Sequence, residues 1–344
     1  MTTTSGASRG VTETEWSAAV EAVRGLTPGP GGDEVQLICH VSPDGDALGS
    51  MLGFALALHA RGITRLRATF PGDFELPTPY QDMPGTELLV PEAEAFPAPQ
   101  LVMTFDVAAE SRLGELVRLL EAPCVVVLDH HASNTRFGRV NLVDPRAAAT
   151  SVVVDGLLSR LGFPLDPRIA ECLYIALATD TGSFKFDMTT PEVHELAARL
   201  IATGISPGDI SRRIFDSKPF GAMKLTSEVL ERATLDRAAA GGRGMVWTYA
   251  TQDDLARHDQ RPYVLDTLID PVRSVAEADV AVVIKESPGG DWAVSLRSKG
   301  AVDVSRLAVS LGGGGHRLAA GFTGRGSPAE VAATVRSRLE ANLI

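Results

Sequence analysis

Residues 35–62, VQLICHVSPDGDALGSMLGFALALHARG, decide the fold. The first six, VQLICH, read as a buried strand. The run that follows, DALGSMLGFALALHARG, is apolar nearly all round and stops at Gly62, which predicts a helix packed inside a core. Working outward, further strands are expected over 63–70, 100–106 (QLVMTFD) and 124–129 (CVVVLD), with a helix, SRLGELVRLLEA, between the last two. Apolar runs alternating with helical patterns imply an α/β fold: a parallel sheet with helices on both faces. Upstream, Thr12 and Glu15 have capping-box spacing for a helix to Arg24, which GLTPGPGGD then breaks.

From Thr150 the pattern turns helical, over 150–161, 167–179 and 191–203, where Thr190 can cap and Pro191 suits the first turn. Helix is also expected over 206–215 and 219–235, and DRAAAGGRG (236–244) reads as a linker. Beyond it come strands at 245–250, 279–285 and 292–297, then helices near 303–311 and 327–341. The expected organisation is a catalytic domain over 1–215 with a polar N-terminal extension, a helical linker over 216–240, and a smaller α/β domain over 241–344.

The 344 residues carry 32 basic and 43 acidic side chains, a formal charge of −11. All of that excess lies before residue 241, since 241–344 holds 12 of each sign. Such a balance argues against coating duplex DNA, which needs a basic surface. No apolar run approaches the ~18 residues of a membrane span, and MTTTSGASRGVTETEW lacks the pattern of a secretory signal, so a cytoplasmic location is expected. Cys39, Cys124 and Cys172 have no paired spacing and read as reduced thiols in apolar surroundings.

Three expected strands end in metal-ligand residue types: His40, Asp106, and the run Asp129, His130, His131. In open α/β sheets ligands bind beyond the strands' carboxyl ends, so these converge on one rim. Past the first strand, HVSPDGD brings His40, Asp44 and Asp46 onto one tight turn. Taken singly, Asp46 reads as a helix cap and Asp44 as a turn residue; as a set with His40 they read as donors. Asp106 follows an apolar strand and needs a partner if buried. Asp129 is better placed to hold a histidine ring than to bind metal. Asp180 ends the apolar helix YIALATD, where an acid opposes the helix dipole and a cation would compensate. Asp187 reads as a surface turn residue, and His59, His194 and His258 lack neighbouring donors.

Two imidazoles and four carboxylates (His40, His130, Asp44, Asp46, Asp106, Asp180) exceed what one ion takes from protein. The mixture suits manganese, with iron, cobalt or zinc as alternatives. Two ions bridged by a carboxylate and a water would generate hydroxide near neutral pH for attack on a phosphoryl group. Later in the chain LGGGGHRLAAGF suggests close backbone approach, with Gly313, Gly314 and Gly315 as an anion nest beside His316. Arg297 and Ser298 of SLRSKG stand at a strand end suited to phosphate. Trp247 and Trp292 read as core, although an exposed ring could stack on a base.

HVSPDGDALGS, TFDVA, LDHHASN and ATDTGSF together resemble the metal-site motifs of the DHH phosphoesterase superfamily, and VSLRSKGAVDVSRLAVSLGGGGHRLAAGF resembles its DHH-associated substrate domain. The likeness spans about residues 33–325 and is greatest to the bacterial oligoribonuclease/3′-phosphoadenosine 5′-phosphate (PAP) phosphatase group. It implies one Mn2+ held by His40, Asp44 and Asp106, and a second by Asp46, Asp106, His130 and Asp180, with Asp106 as bridge. By the same likeness His131 assists at the scissile phosphate, and Arg297 with the glycine run through His316 binds the other phosphate or terminal nucleotide. Implied partners are short RNA, PAP and linear or cyclic dinucleotides, with the chain as a homodimer. Two other readings compete: an inorganic pyrophosphatase or exopolyphosphatase of the same superfamily, and a nucleotide sensor without turnover. The glycine run argues against the first, and the complete donor set against the second.

Overall fold

The structure is a computed structural model that describes residues 10–341, which fall into two compact units dividing between Ser217 and Lys218. In the first, five strands form an all-parallel sheet: β1 (Val35–Cys39), β2 (Leu66–Thr69), β3 (Leu101–Phe105), β4 (Cys124–Asp129) and β5 (Val140–Val143), in the order β2-β1-β3-β4-β5. Its strands are unbroken apolar runs because both faces are covered. Leu37, Cys39, Met103, Phe105 and Val126 pack toward the α-helical side. Ile38, Val102 and Val125 pack instead against Leu113, Leu116 and Leu119. Gln36, the polar exception, is buried with its amide satisfied by the Arg67 carbonyl and the Phe96 N–H.

The helical side comprises α1 (Glu13–Arg24), α2 (Gly45–Ala60), α3 (Thr150–Leu161), α4 (Pro167–Asp180), α5 (Pro191–Ile201) and α6 (Pro207–Phe215). Thr12 and Glu15 form the expected capping box of α1. Helix α2 is buried along almost its whole length and lies antiparallel on α4. Its glycines at positions 45, 49 and 53 share one stripe at i, i+4 spacing. A Cβ on Gly45 would stand 2.5 Å from Thr179 Cγ2, and one on Gly49 would stand 2.3 Å from the Cys172 carbonyl oxygen. Bare backbone thus lets the two helices touch, and brings the start of α2 beside the end of α4.

In the second unit α7 (Phe220–Glu231) precedes β6 (Thr234–Asp236), the short α8 (Ala239–Gly242) and β7 (Met245–Ala250). Then come α9 (Gln252–Arg257), α10 (Ile269–Arg273), β8 (Val280–Glu286), β9 (Trp292–Ser298), α11 (Val304–Ser310), β10 (Gly314–His316), β11 (Ala319–Gly324) and α12 (Pro328–Ala341). The strands form one sheet, β10-β11-β9-β8-β7-β6, in which only β7 and β8 run parallel. Val282, Leu296 and Phe322 share one core with Leu307 and Val335 of α11 and α12. Ala281 and Val283 share another with Leu225 and Val229 of α7.

Several elements differ from expectation. The helix over 111–122 is 3₁₀ rather than α and is interrupted at Gly114, whose φ of +51° and ψ of −134° break the helical path. The helix over 219–235 stops at Glu231, and the next residues pair with β7 as β6. Because α7 buries Leu225 and Val229 in the second unit's core, it belongs to that unit. Strands β5, β10 and β11 were not expected from pattern: β5 has four residues, and glycine-rich runs carry little alternation.

Gly49→Ala tests the helix contact. Alanine gains about 1 kcal/mol of helix propensity over glycine, but a backbone oxygen at 2.3 Å forces α2 and α4 apart. A net loss of about 1–3 kcal/mol is expected, read as a lower midpoint in thermal denaturation; a raised midpoint would refute close packing.

Candidate metal centre

The strand order reverses direction between β1 and β3, and the crevice at such a switch point is where α/β sheets bind ligands. His40 directly follows β1, Asp106 directly follows β3, and Asp129 ends β4 before His130 and His131. Neighbouring strands lie about 4.8 Å apart, so the three ends share one small space. Asp106 takes a left-handed φ of +60°, which aspartate tolerates better than most residues. Its N–H still bonds the Leu128 carbonyl at 3.0 Å, so the turn begins while the residue is anchored to β4.

Asp106 faces two donor groups, one oxygen toward each. Its Oδ2 lies 3.4 Å from His40 Nε2, which is also 4.0 Å from Asp44 Oδ1. Its Oδ1 lies 3.6 Å from His130 Nε2, which stands 3.1 Å from Asp180 Oδ2 and 3.8 Å from Asp46 Oδ2. His40, Asp46, Asp106 and His130 are buried, Asp44 lies exposed at the rim, and Asp180 is partly covered. The capping roles are the reverse of the simple reading: Asp44 caps α2, accepting from the N–H groups of Asp46 and Ala47.

The buried Asp46 carboxylate is held by the start of α3. It accepts from Thr150 N at 2.7 Å, Ser151 N at 3.2 Å and Ser50 Oγ at 3.0 Å. Helix α3 opens on Ala149, which has no capping side chain, so an acid from α2 satisfies its first amides. Thr150 Oγ1 also donates to Asp106 Oδ1 at 3.0 Å. Sequence reasoning missed Thr150; the uncapped run AAAT was the available signal.

His130 Nδ1 lies 3.2 Å from the Ala147 carbonyl, which only accepts, so this nitrogen holds the proton and Nε2 faces the acids. Asp129 holds the other histidine: its Oδ1 accepts from His131 Nδ1 at 2.8 Å and from His130 N at 2.8 Å. Asn134, also missed, ties Asp129 Oδ2 at 2.5 Å to the Val107 carbonyl at 2.9 Å.

Crowded acids without enough positive charge hold protons. Burial, then the charges of Asp106 and Asp180, keep the Asp46 carboxyl well above the usual range. Burial would also raise Asp106, but the charge and hydrogen bond of His131, with His40 and His130, draw it well below. For His130 burial opposes the charged form, yet the hydrogen bond and charge of Asp180, with the charges of Asp106 and Asp46, raise it to about 10. His40 is raised in the same way, burial being outweighed by Asp106 and Asp44. His131 is raised well above the ordinary value, against burial, by Asp106 and Asp129.

The donor set fits divalent ions. Atoms sharing one ion at about 2.1 Å lie about 3 Å apart when adjacent and about 4.2 Å apart when opposite. Ligand atoms of His40, Asp44 and Asp106 all lie within 4.8 Å of one another, as do those of Asp46, His130 and Asp180. Mixed imidazole and carboxylate donors suit manganese, iron, cobalt or zinc.

The second unit's candidates fare differently. His316 pairs with Ala319 and Ala319 with Arg297, so His316 and Arg297 lie in one row across three strands, opposite the core face of Leu296 and Ala320. The next row, Gly314, Gly321 and Ser295, has only small side chains. The anion nest is not formed at the start of the run: Gly312 N donates to Val309 O and Gly313 N to Ala308 O, ending α11. Gly313 and Gly315 serve strand pairing, since Cβ atoms there would lie 2.0 Å from the Gly321 oxygen and 2.6 Å from the Ala319 oxygen. Ser298 is corrected as a ligand contact. It is buried, and its Oγ bonds Asp279 at 2.9 Å, Gly300 N at 3.1 Å and Val302 N at 3.3 Å, holding the turn.

Comparison with known proteins accords with this geometry. The DHH family N-terminal domain matches residues 34–177 and the DHHA1 domain residues 248–343. The bifunctional oligoribonuclease and PAP phosphatase NrnA of Thermus thermophilus is 33 % identical over 292 residues, 85 % of this chain and 84 % of that one. The chain belongs to the DHH phosphoesterase family. A probable NrnA of Streptococcus mutans is 25 % identical over 84 % of this DHH chain and 89 % of its own length. The DHH chain also shares the fold of an exopolyphosphatase-related protein from Bacteroides fragilis, with TM-score 0.84, 23 % identity, and 96 % and 97 % of the two chains covered. Among the described residues of this DHH protein, no helix is long and apolar enough to cross a membrane.

Ligands bind metal deprotonated, and His40, His130 and Asp46 all have raised proton affinity. Divalent-cation uptake near neutral pH should therefore release protons, and affinity should rise with pH. Calorimetric titration of Mn2+ in two buffers of different ionisation enthalpy measures this; equal heats would refute it.

Proposed function

We propose that this protein is a two-metal, Mn2+-dependent phosphoesterase acting on short oligoribonucleotides and PAP. The observation that carries this reading is the split orientation of Asp106, with Oδ2 toward His40 and Oδ1 toward His130. His40, Asp44 and Asp106 would hold one ion, and Asp46, Asp106, His130 and Asp180 the other. Bound there, a pair of divalent ions supplies Lewis acidity to phosphoryl oxygens and a nucleophilic water near neutral pH.

The chain's own residues do the rest. Thr150 and the first amides of α3 fix the Asp46 and Asp106 carboxylates, so little reorganisation is needed as charge develops. Asp129 and Asn134 fix the His131 ring through Nδ1, so the proton offered to the leaving oxygen is the one on Nε2. Arg297 and His316, over a floor of Gly314, Gly321 and Ser295, would take the second phosphate or terminal nucleotide, since small residues let a flat base lie against the sheet. The named activity of the Thermus and Streptococcus relatives supports this substrate class.

Asp106→Asn keeps the left-handed residue preference and the Thr150 contact while removing the shared charge. It should lower Mn2+-dependent turnover about a hundredfold or more with the fold intact; retained activity would overturn the bridging role. A panel with Mn2+ should show turnover of RNA dinucleotides and PAP, with cyclic dinucleotides as a further arm, and pyrophosphate as a dominant substrate would overturn the proposal. Arg297→Ala should raise KM for both nucleotides about tenfold or more, through loss of a charge-assisted bond, with kcat less affected.

A further inference from the structure

Arg112, in the first turn of the 3₁₀ segment Glu110–Glu121, is tied twice to the segment carrying His40. Its carbonyl accepts from Val41 N at 3.1 Å, and its Nη2 lies 3.0 Å from His40 Nδ1. The same Nδ1 lies 2.9 Å from the Val41 carbonyl. A ring nitrogen serves one of these contacts at a time: bearing a proton it donates to Val41 O, and bare it accepts from Arg112. Were Nε2, the nitrogen facing Asp106, to hold an ion, Nδ1 would be the nitrogen left to carry the proton. That form keeps the Val41 bond and leaves the guanidinium with no acceptor on the ring.

Charge points the same way. Asp44, Asp46, Asp106 and Asp180 bring four carboxyl groups together, whose formal charge two divalent ions would balance, while Asp129 is paired with His131. An entering phosphoryl group then brings negative charge that nothing in this balance offsets. Arg112 is an exposed side chain whose fork already reaches the buried ring, and guanidinium matches two phosphate oxygens at once. We propose that Arg112 binds the non-bridging oxygens of the scissile phosphate on the His40 side of the centre. This rests on the phosphoesterase reading above.

The test uses full-length protein, wild type, Arg112→Gln and Arg112→Lys, with two calorimetric titrations: Mn2+ into protein, then inorganic phosphate into the Mn2+-loaded protein. Arg112→Gln should leave Mn2+ affinity unchanged and weaken phosphate about tenfold or more, with KM for PAP rising in step; Arg112→Lys should recover part of the phosphate affinity. Unchanged phosphate binding by Arg112→Gln would overturn the inference alone. A fall in its Mn2+ affinity, with phosphate affinity following only as far as metal is lost, would overturn it too, showing that Arg112 merely positions His40. Wild-type protein that takes up no Mn2+ would overturn the phosphoesterase reading itself.

Discussion

Repulsion among acids brought within a few ångströms of each other is the constraint that organises the first unit. Four aspartates and two imidazoles meet at the ends of three adjacent strands and two helices, and four of those six groups are buried. Burying like charges is among the most unfavourable things a fold can do. The structure offsets it locally, with the amides opening α3 on Asp46, histidines on Asp106, and the amides opening α2 on Asp44. These partners also restrict each carboxylate to one orientation, which a catalytic centre needs before any ligand arrives.

The second unit manages a different problem, a sheet with faces covered to unequal extents. Large side chains occupy the face under α11 and α12, while on the other side of β9, β11 and β10 the row Gly314, Gly321 and Ser295 holds only small residues beside the row that carries His316 and Arg297. Glycine there reflects how closely two strands approach as much as any ligand. A single run can meet both needs, because the requirement at Gly313 and Gly315 comes from β11, whereas a Cβ on Gly314 would meet no atom within 4 Å.

Much of the first unit was legible in the sequence because its parallel strands are continuous apolar runs whose last residues are polar. His40, Asp106 and Asp129 announce themselves as charges set against such runs, and the helices at 150–161 and 167–180 carry plain periodicity and a proline start. What was not legible depended on contacts distant in sequence. Ser298 looks like a phosphate ligand until Asp279 is seen beside it, and Thr150 and Asn134 matter only through carboxylates they meet in space. The 3₁₀ segment 110–121 buries Leu113, Leu116 and Leu119 at three-residue spacing, and its break at Gly114, whose backbone leaves the helical region, has no sign in that spacing.

The glycine stripe of α2 has a consequence for how the protein loses function. Asp46 and Asp180 belong to helices that touch through bare backbone, so the helix contact itself sets the separation of the two acids. Slippage by one residue would displace Asp180 by about 1.5 Å, several times the tolerance of the coordination shell proposed for it. Warming that only loosens this seam would silence the enzyme while its sheets stay intact, and activity should fade at a lower temperature than the circular-dichroism signal.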